Sequence, residues 1–150
     1  MREATGQAGL MNIMLFIIGI IIVLLAGSIA YSKAFRVKNR IIDAIEKQGE
    51  FNSTSKNAID EALKDIGYKT IDNSKYLSYC PTDKFAGFSL ETKNYPGYLY
   101  CIYKKDAGNL YYKVVSFMYF DIPFIGSYLL IPVTGETKVL YPKDSWKTVE

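Results

Sequence analysis

The sequence predicts an α+β fold in which a long N-terminal helix and one short helix precede an antiparallel β-sheet head. Three observations carry that expectation. Residues 10–31 are apolar and uncharged, apolar residues at helical spacing continue to residue 48 without a helix breaker, and the pattern then changes to strand-like runs separated by turn residues.

The uncharged run reads L-M-N-I-M-L-F-I-I-G-I-I-I-V-L-L-A-G-S-I-A-Y. At about 1.5 Å per residue it spans roughly 33 Å, enough for a bilayer core of about 30 Å. Residues 1–9 read as a leader or a frayed terminus, residues 10–31 as a transmembrane segment, and residues 32–150 as one domain that includes the continuation of the first helix. Two other readings stand beside the anchor. A cleaved secretory signal would use Ser28-Ile29-Ala30 as its small-residue site, although the run exceeds the usual apolar core of about 7–15 residues. A buried core helix would need more chain around it than this protein has. Membrane lipid is therefore the first expected partner.

Within the run, Leu10, Ile13, Phe16, Ile17, Gly19 and Ile20 are assigned to lipid or helix contacts by position. Gly19, Ala26, Gly27, Ala30 and Ala34 fall roughly on one face, where small residues permit close approach of a second helix. The abundance of glycine and alanine in membrane helices explains the same residues equally well.

Beyond Tyr31 the spacing predicts an amphipathic continuation. Ala34, Phe35, Ile41, Ile42 and Ile45 form the apolar stripe; Lys33, Arg36, Lys38, Arg40, Asp43, Glu46 and Lys47 occupy the other faces. Gly49 supplies the stop, so one helix is expected from about Gly9 to Gln48. Ser53 or Thr54 is expected to cap a second helix with Ile59, Ala62, Leu63 and Ile66 on one face and Gly67 after it.

Strands are expected at 75–80, 85–91, 98–104, 110–121, 128–133 and 137–141. Asp106-Ala107-Gly108-Asn109 marks one hairpin turn, and Pro123 with Gly126 marks the next. In the longest strand Tyr112, Val114, Ser116, Met118, Phe120 and Ile122 share a face, which is expected to pack on the amphipathic half of the first helix.

Composition narrows the chemistry. Net charge is +3 with both signs interspersed, unlike the concentrated basic stripe of a nucleic-acid protein. Histidine is absent, which removes the commonest general base and metal ligand. Thirteen tyrosines suit strands and an amphipathic surface. Ser53-Thr54-Ser55-Lys56 matches a serine–lysine acyl-enzyme pattern, but its companion motifs are missing (Val133-Thr134-Gly135 is a near miss) and helix capping accounts for the residues. Asn52-Ser53-Thr54 formally matches a glycosylation acceptor. No cofactor, metal site, catalytic residue or small-molecule substrate is expected, and the protein reads as a non-enzyme.

Cys80 and Cys101 form an even pair in a small domain behind an apolar segment. They point to a disulfide and hence to a compartment outside the cytoplasm. Such a bond would contribute about 3 kcal/mol. Two reduced core cysteines in a cytosolic domain are the alternative. The positive-inside rule favours that alternative, because Lys33, Arg36, Lys38 and Arg40 follow the apolar run directly.

Gly6-Gln7-Ala8-Gly9 leading into the run, and Ala30-Tyr31-Ser32-Lys33-Ala34-Phe35-Arg36-Val37-Lys38-Asn39-Arg40-Ile41-Ile42 after it, resemble the TadE-like pseudopilins of tight-adherence (Tad) pilus systems and, more broadly, type IV pilins. Asp121-Ile122-Pro123-Phe124-Ile125-Gly126 and Pro132-Val133-Thr134-Gly135-Glu136-Thr137 are similar to the late strand–proline–strand part of such proteins. The resemblance covers residues 6–50 and, loosely, 110–141. It implies a pilin-like lollipop with its head outside the cytoplasmic membrane, cleavage of a leader at Gly9, and other pilin-like or pseudopilin subunits as partners. Pilin leaders carry glutamate at the fifth position after the cleavage glycine; here that position is Met14 counted from Gly9, or Met11 counted from Gly6. The resemblance therefore implies a minor pseudopilin or an uncleaved assembly component of a bacterial pilus or secretion apparatus. The alternative is a single-pass envelope binding module without filament partners.

Overall fold

The computed structural model describes residues 2–64, 66, 80, 85–94, 99–106, 110–121 and 128–141. Helix α1 runs from Arg2 to Gln48 as one element. It begins earlier than the expected Gly9, because the preceding residues include Glu3, Ala4, Gln7 and Ala8, all compatible with helix, and no proline. It stops at Gly49, whose φ of 77° is open to glycine at little cost, with the Gly49 N–H donating to the Ile45 carbonyl at 2.9 Å.

Helix α2, Ser53–Lys64, is capped by Asn52 and not by Ser53 or Thr54. Asn52 Oδ1 accepts from the Ser55 N–H at 2.9 Å, and Ser55 Oγ accepts from the Asn52 N–H at 2.8 Å. This reciprocal pair satisfies two backbone donors together, which a cap one residue later would leave unmatched. Ile59 and Leu63 are buried, while Ala62 and Ile66 are partly so.

Four strands, β1 (Ser89–Asn94), β2 (Tyr100–Asp106), β3 (Leu110–Asp121) and β4 (Tyr128–Glu136), form one antiparallel sheet in chain order. β3 matches its expected bounds; β1, β2 and β4 start or end a few residues from theirs. The β1–β2 ladder shifts register between Leu90 and Thr92, leaving Glu91 as the extra residue of a bulge. Residues 75–79, Gly67, the turn residues 107–109, Pro123, Gly126, Ile122 and the side chain of Phe120 lie outside the described residues.

The expected strand at 137–141 is instead an irregular continuation. The Thr137 N–H donates to the Tyr112 carbonyl at 2.9 Å, but the Tyr112 N–H donates to Thr137 Oγ1 at 3.0 Å. A side-chain hydroxyl thus takes the place of a main-chain acceptor. The chain slips before Leu140 makes an isolated bridge to Leu110. Threonine favours strands, yet its hydroxyl competes for backbone partners, and here the hydroxyl prevails.

The sheet separates two apolar layers. On one side Val37, Ile41, Ala44 and Ile45 of α1 and Ile59 and Leu63 of α2 pack on Tyr100, Ile102, Tyr112 and Val114. Ala34 continues this layer against Met118 and Val133, with Ala30 at its margin. On the other side Cys80, Phe85 and Phe88 cover Cys101, Tyr103, Val115 and Phe117. The alternation along β3 produces this division, because Tyr112, Val114, Ser116 and Met118 face the helices and Val115 and Phe117 face away.

Polar contacts tie the sheet and the segment after β4 to α1 and to the turn that follows it. Ser116 Oγ donates to the Ala34 carbonyl at 2.9 Å, Tyr112 Oη accepts from the Phe51 N–H at 3.2 Å, and Glu46 Oε1 accepts from the Lys138 N–H at 2.8 Å.

Two residues of α1 depart from the expected stripe. Phe35 is 41% exposed, whereas Lys38, placed among the solvent-facing residues, is 9% exposed. The Lys38 stem lies against β4, and its Nζ sits 4.0 Å from the centroid of the Phe35 ring. A long aliphatic stem can cover apolar surface while its charged tip finds an aromatic face. Gly135 leaves the room for it: a Cβ there would stand 2.7 Å from Lys38 Cδ and 2.9 Å from Ile42 Cδ1.

Ile41→Ala is therefore expected to cost about 2–5 kcal/mol, while Phe35→Ala costs at most about 1 kcal/mol, the worth of an exposed cation–π contact. Urea unfolding of both variants in mild detergent measures the difference.

Candidate functional site

The largest chemically unusual surface is the N-terminal half of α1. Leu10, Ile13, Phe16, Ile17 and Ile20 are all exposed, as are Gly9, Gly19 and Ala26; Gly27 is intermediate. The helix contains an 18-residue window of mean hydropathy 3.0, none of it buried against the rest of the chain. An added Cβ at Gly9, Gly19 or Gly27 would meet nothing within 4 Å. These glycines thus have space for a neighbouring helix. Ala30 differs from the others assigned with it, since it packs at the edge of the head against Met118 and Val133.

This surface suits hydrocarbon and not water. Helical hydrogen bonding satisfies its backbone internally, which a bilayer interior requires. An exposed apolar rod of this length would otherwise aggregate. Among the described residues the one helix long and apolar enough to span a membrane, by length and composition, is the N-terminal one.

Where the apolar run ends, the residue types change within two helical turns. Tyr31 and Phe35 are exposed and their rings stack with centroids 6.3 Å apart. Lys33, Arg36 and Arg40 are exposed at i, i+3 and i+7, so they share one face. Among the described residues none of the three has an ion pair or side-chain hydrogen bond. They form one wall of an open groove completed by Asn39, Asp43, Ala58, Glu61, Ala62 and Ile66. Ile131, 38% exposed, pairs with Met118 at the same end of the sheet. Aromatic rings and cations beside an apolar span are the composition expected at a membrane–water boundary.

The opposite face of the sheet is occupied by its own chain. Cys80 and Cys101 stand at disulfide distance, with Cα atoms 5.9 Å apart. Phe85 meets Tyr103 edge-on at 5.0 Å and Phe88 meets Tyr111 at 5.3 Å. Lys113 Nζ lies 4.4 Å from the Phe85 centroid and also pairs with Glu136 at 2.7 Å. These rings and cations satisfy one another.

Among the described residues Tyr100 is the acid with the largest shift. Burial pushes its phenol well above the ordinary 10, and the Asp60 carboxylate adds to the shift. Burial raises Tyr103 as well. Both groups stay neutral at physiological pH, which suits packing and not proton transfer. Ser53 and Lys56 lie on exposed positions of α2. Among the described residues no group of three or more His, Cys, Asp or Glu side chains is arranged to hold a metal ion.

Sequence reasoning missed the partnership of Lys38 with Phe35 and the common face of Lys33, Arg36 and Arg40. The i, i+3, i+7 spacing of those three was the available signal. Comparisons with protein-family models, curated proteins and solved structures find no match to this chain.

The Tyr100 environment makes stability pH-dependent in a defined direction. The unfolded phenol ionises near 10 while the folded one holds its proton, so this contribution is complete below about pH 10 and is lost as pH rises towards the folded-state value. Between about pH 9 and about pH 11 the Tyr100→Phe variant should lose roughly 1 kcal/mol less stability than the parent. Urea titrations at a series of alkaline pH values read that difference.

Proposed function

We propose that this protein is a single-pass, membrane-anchored structural component of a bacterial Tad- or type IV-like pilus or secretion apparatus, acting as a minor pseudopilin or assembly factor with its head outside the cytoplasmic membrane. The observation that carries the reading is the division of α1. One uninterrupted helix leaves its N-terminal half bare and apolar while its C-terminal half forms the spine of an antiparallel head. That layout suits a subunit whose anchor packs laterally against other pilin-like helices and whose head makes assembly contacts. The resemblance of residues 6–42 to TadE-like pseudopilins supports the same reading, and Met14 at the position of the usual glutamate favours a minor over a repeating role. The Cys80–Cys101 pair at disulfide distance supports a head in an oxidising compartment. Nothing in this role calls for catalysis, a cofactor, a nucleic acid or a small-molecule substrate.

Photocrosslinkers at Phe16 and Ile20 in the native membrane test the partnership. The expected product is an adduct with another subunit carrying an apolar N-terminal helix. Adducts with lipid alone would support an anchored envelope module instead.

Labelling of Cys80 and Cys101 in intact cells tests topology. The expected result is no labelling by an impermeant maleimide until an impermeant reductant is added. Free thiols that react only after lysis would place the head in the cytoplasm. Cys80→Ser and Cys101→Ser should each destabilise the head by about 2–5 kcal/mol.

A further inference from the structure

We propose that Lys33, Arg36 and Arg40 form a binding face for the phosphate groups of anionic phospholipids in the leaflet through which α1 leaves the bilayer. The proposal rests on the anchored reading of α1 and adds a ligand class to it.

Position is the first argument. Tyr31 ends the apolar run, and Lys33, Arg36 and Arg40 follow at axial distances of about 3, 8 and 14 Å. The headgroup layer is about 5–8 Å thick on each side of the hydrocarbon. Lys33 and Arg36 therefore lie within it. The Cα–Cβ bonds of a helix tilt towards its N-terminus, which here is the bilayer side, so all three side chains lean back towards the headgroups. That tilt and its long stem bring the Arg40 guanidinium within reach as well.

Charge is the second. Among the described residues these cations have no carboxylate partner within ion-pair distance, although Asp43 and Glu61 line the same groove. By contrast Lys113 is paired with Glu136, and Lys38 lies over Phe35. Lys47, Lys56 and Lys64 likewise lack an ion pair among the described residues, so what sets Lys33, Arg36 and Arg40 apart is their shared face directly after the apolar run.

The shape of the groove is the third. Ala58, Ala62 and Ile66 give the groove apolar surface on the side facing the cations, with Glu61 between them. A molecule with an anionic head and an apolar body suits both walls. A free anion would use only one, and a basic sequence serving solely as a topology signal would need neither the shared face nor the groove.

The test uses the full chain in micelles containing equal amounts of phosphatidylglycerol and phosphatidylcholine, with retained lipid counted by native mass spectrometry. Phosphatidylglycerol should be enriched, with each basic side chain worth about fivefold at most. The triple variant Lys33→Gln/Arg36→Gln/Arg40→Gln should bring the two lipids close to parity, and Lys47→Gln/Lys56→Gln should leave the enrichment intact. Equal retention by the parent, or unchanged enrichment in the triple variant, would overturn the proposal. So would displacement of the lipid by inorganic phosphate at matched concentration, which would indicate a free-anion site. Flotation with pure phosphatidylcholine vesicles separates this outcome from failure of the anchor. A chain that floats without phosphatidylglycerol enrichment defeats the headgroup site alone, and a chain that does not float defeats the anchor reading itself.

Discussion

On the anchored reading proposed above, each backbone N–H in the apolar half of α1 must find its acceptor inside the helix, because hydrocarbon offers none. That requirement forbids a break within the span. The helix also continues through Lys33, Arg36 and Arg40 into the head without a glycine or proline to interrupt it. The same ladder of hydrogen bonds therefore serves two solvents. Apolar side chains with no protein neighbours suit the first half, and the second half gains its stability by burying Val37, Ile41 and Ile45 under the sheet.

Coupling follows from that continuity. Ser116 bonds the Ala34 carbonyl close to where the apolar run ends, while Tyr112 and Glu46 secure the sheet further along. The head is thus held against a rod without a flexible linker at the point of exit. Motion of the anchor against a neighbouring helix would be transmitted to the sheet as a rigid tilt. A merely tethered binding module has less need of such stiffness, whereas a subunit that must set its head at a defined angle depends on it.

Much of this was legible in the sequence because it depends on periodicity. The uncharged run, the stripe through Ile41 and Ile45, the full extent of β3 and the stop at Gly49 all follow from side-chain spacing and backbone preference. The differences arise where one side chain has two uses. Lys38 carries a charge yet buries its stem, and Gly135 provides the space for it only because β4 happens to pass there. Phe35 is apolar yet serves better outside, under a cation and beside Tyr31. Asn52 and Ser55 cap α2 as a pair, so neither looks decisive alone. Thr137 ends the ladder through its hydroxyl, which strand propensity does not register. The common face of Lys33, Arg36 and Arg40 was readable from spacing, but their lack of partners required the fold.

On the proposed reading one unbroken helix passes from lipid into the head. Nitroxide scanning along residues 10–45 of the full chain in bilayers tests it most directly, using oxygen as the lipid-soluble relaxer and a nickel chelate as the aqueous one. Oxygen-dominated relaxation is expected through residue 30, with a crossover between residues 31 and 36 and helical periodicity that continues in phase across that boundary. A loss of phase at the boundary, or strong nickel accessibility between residues 13 and 25, would contradict it.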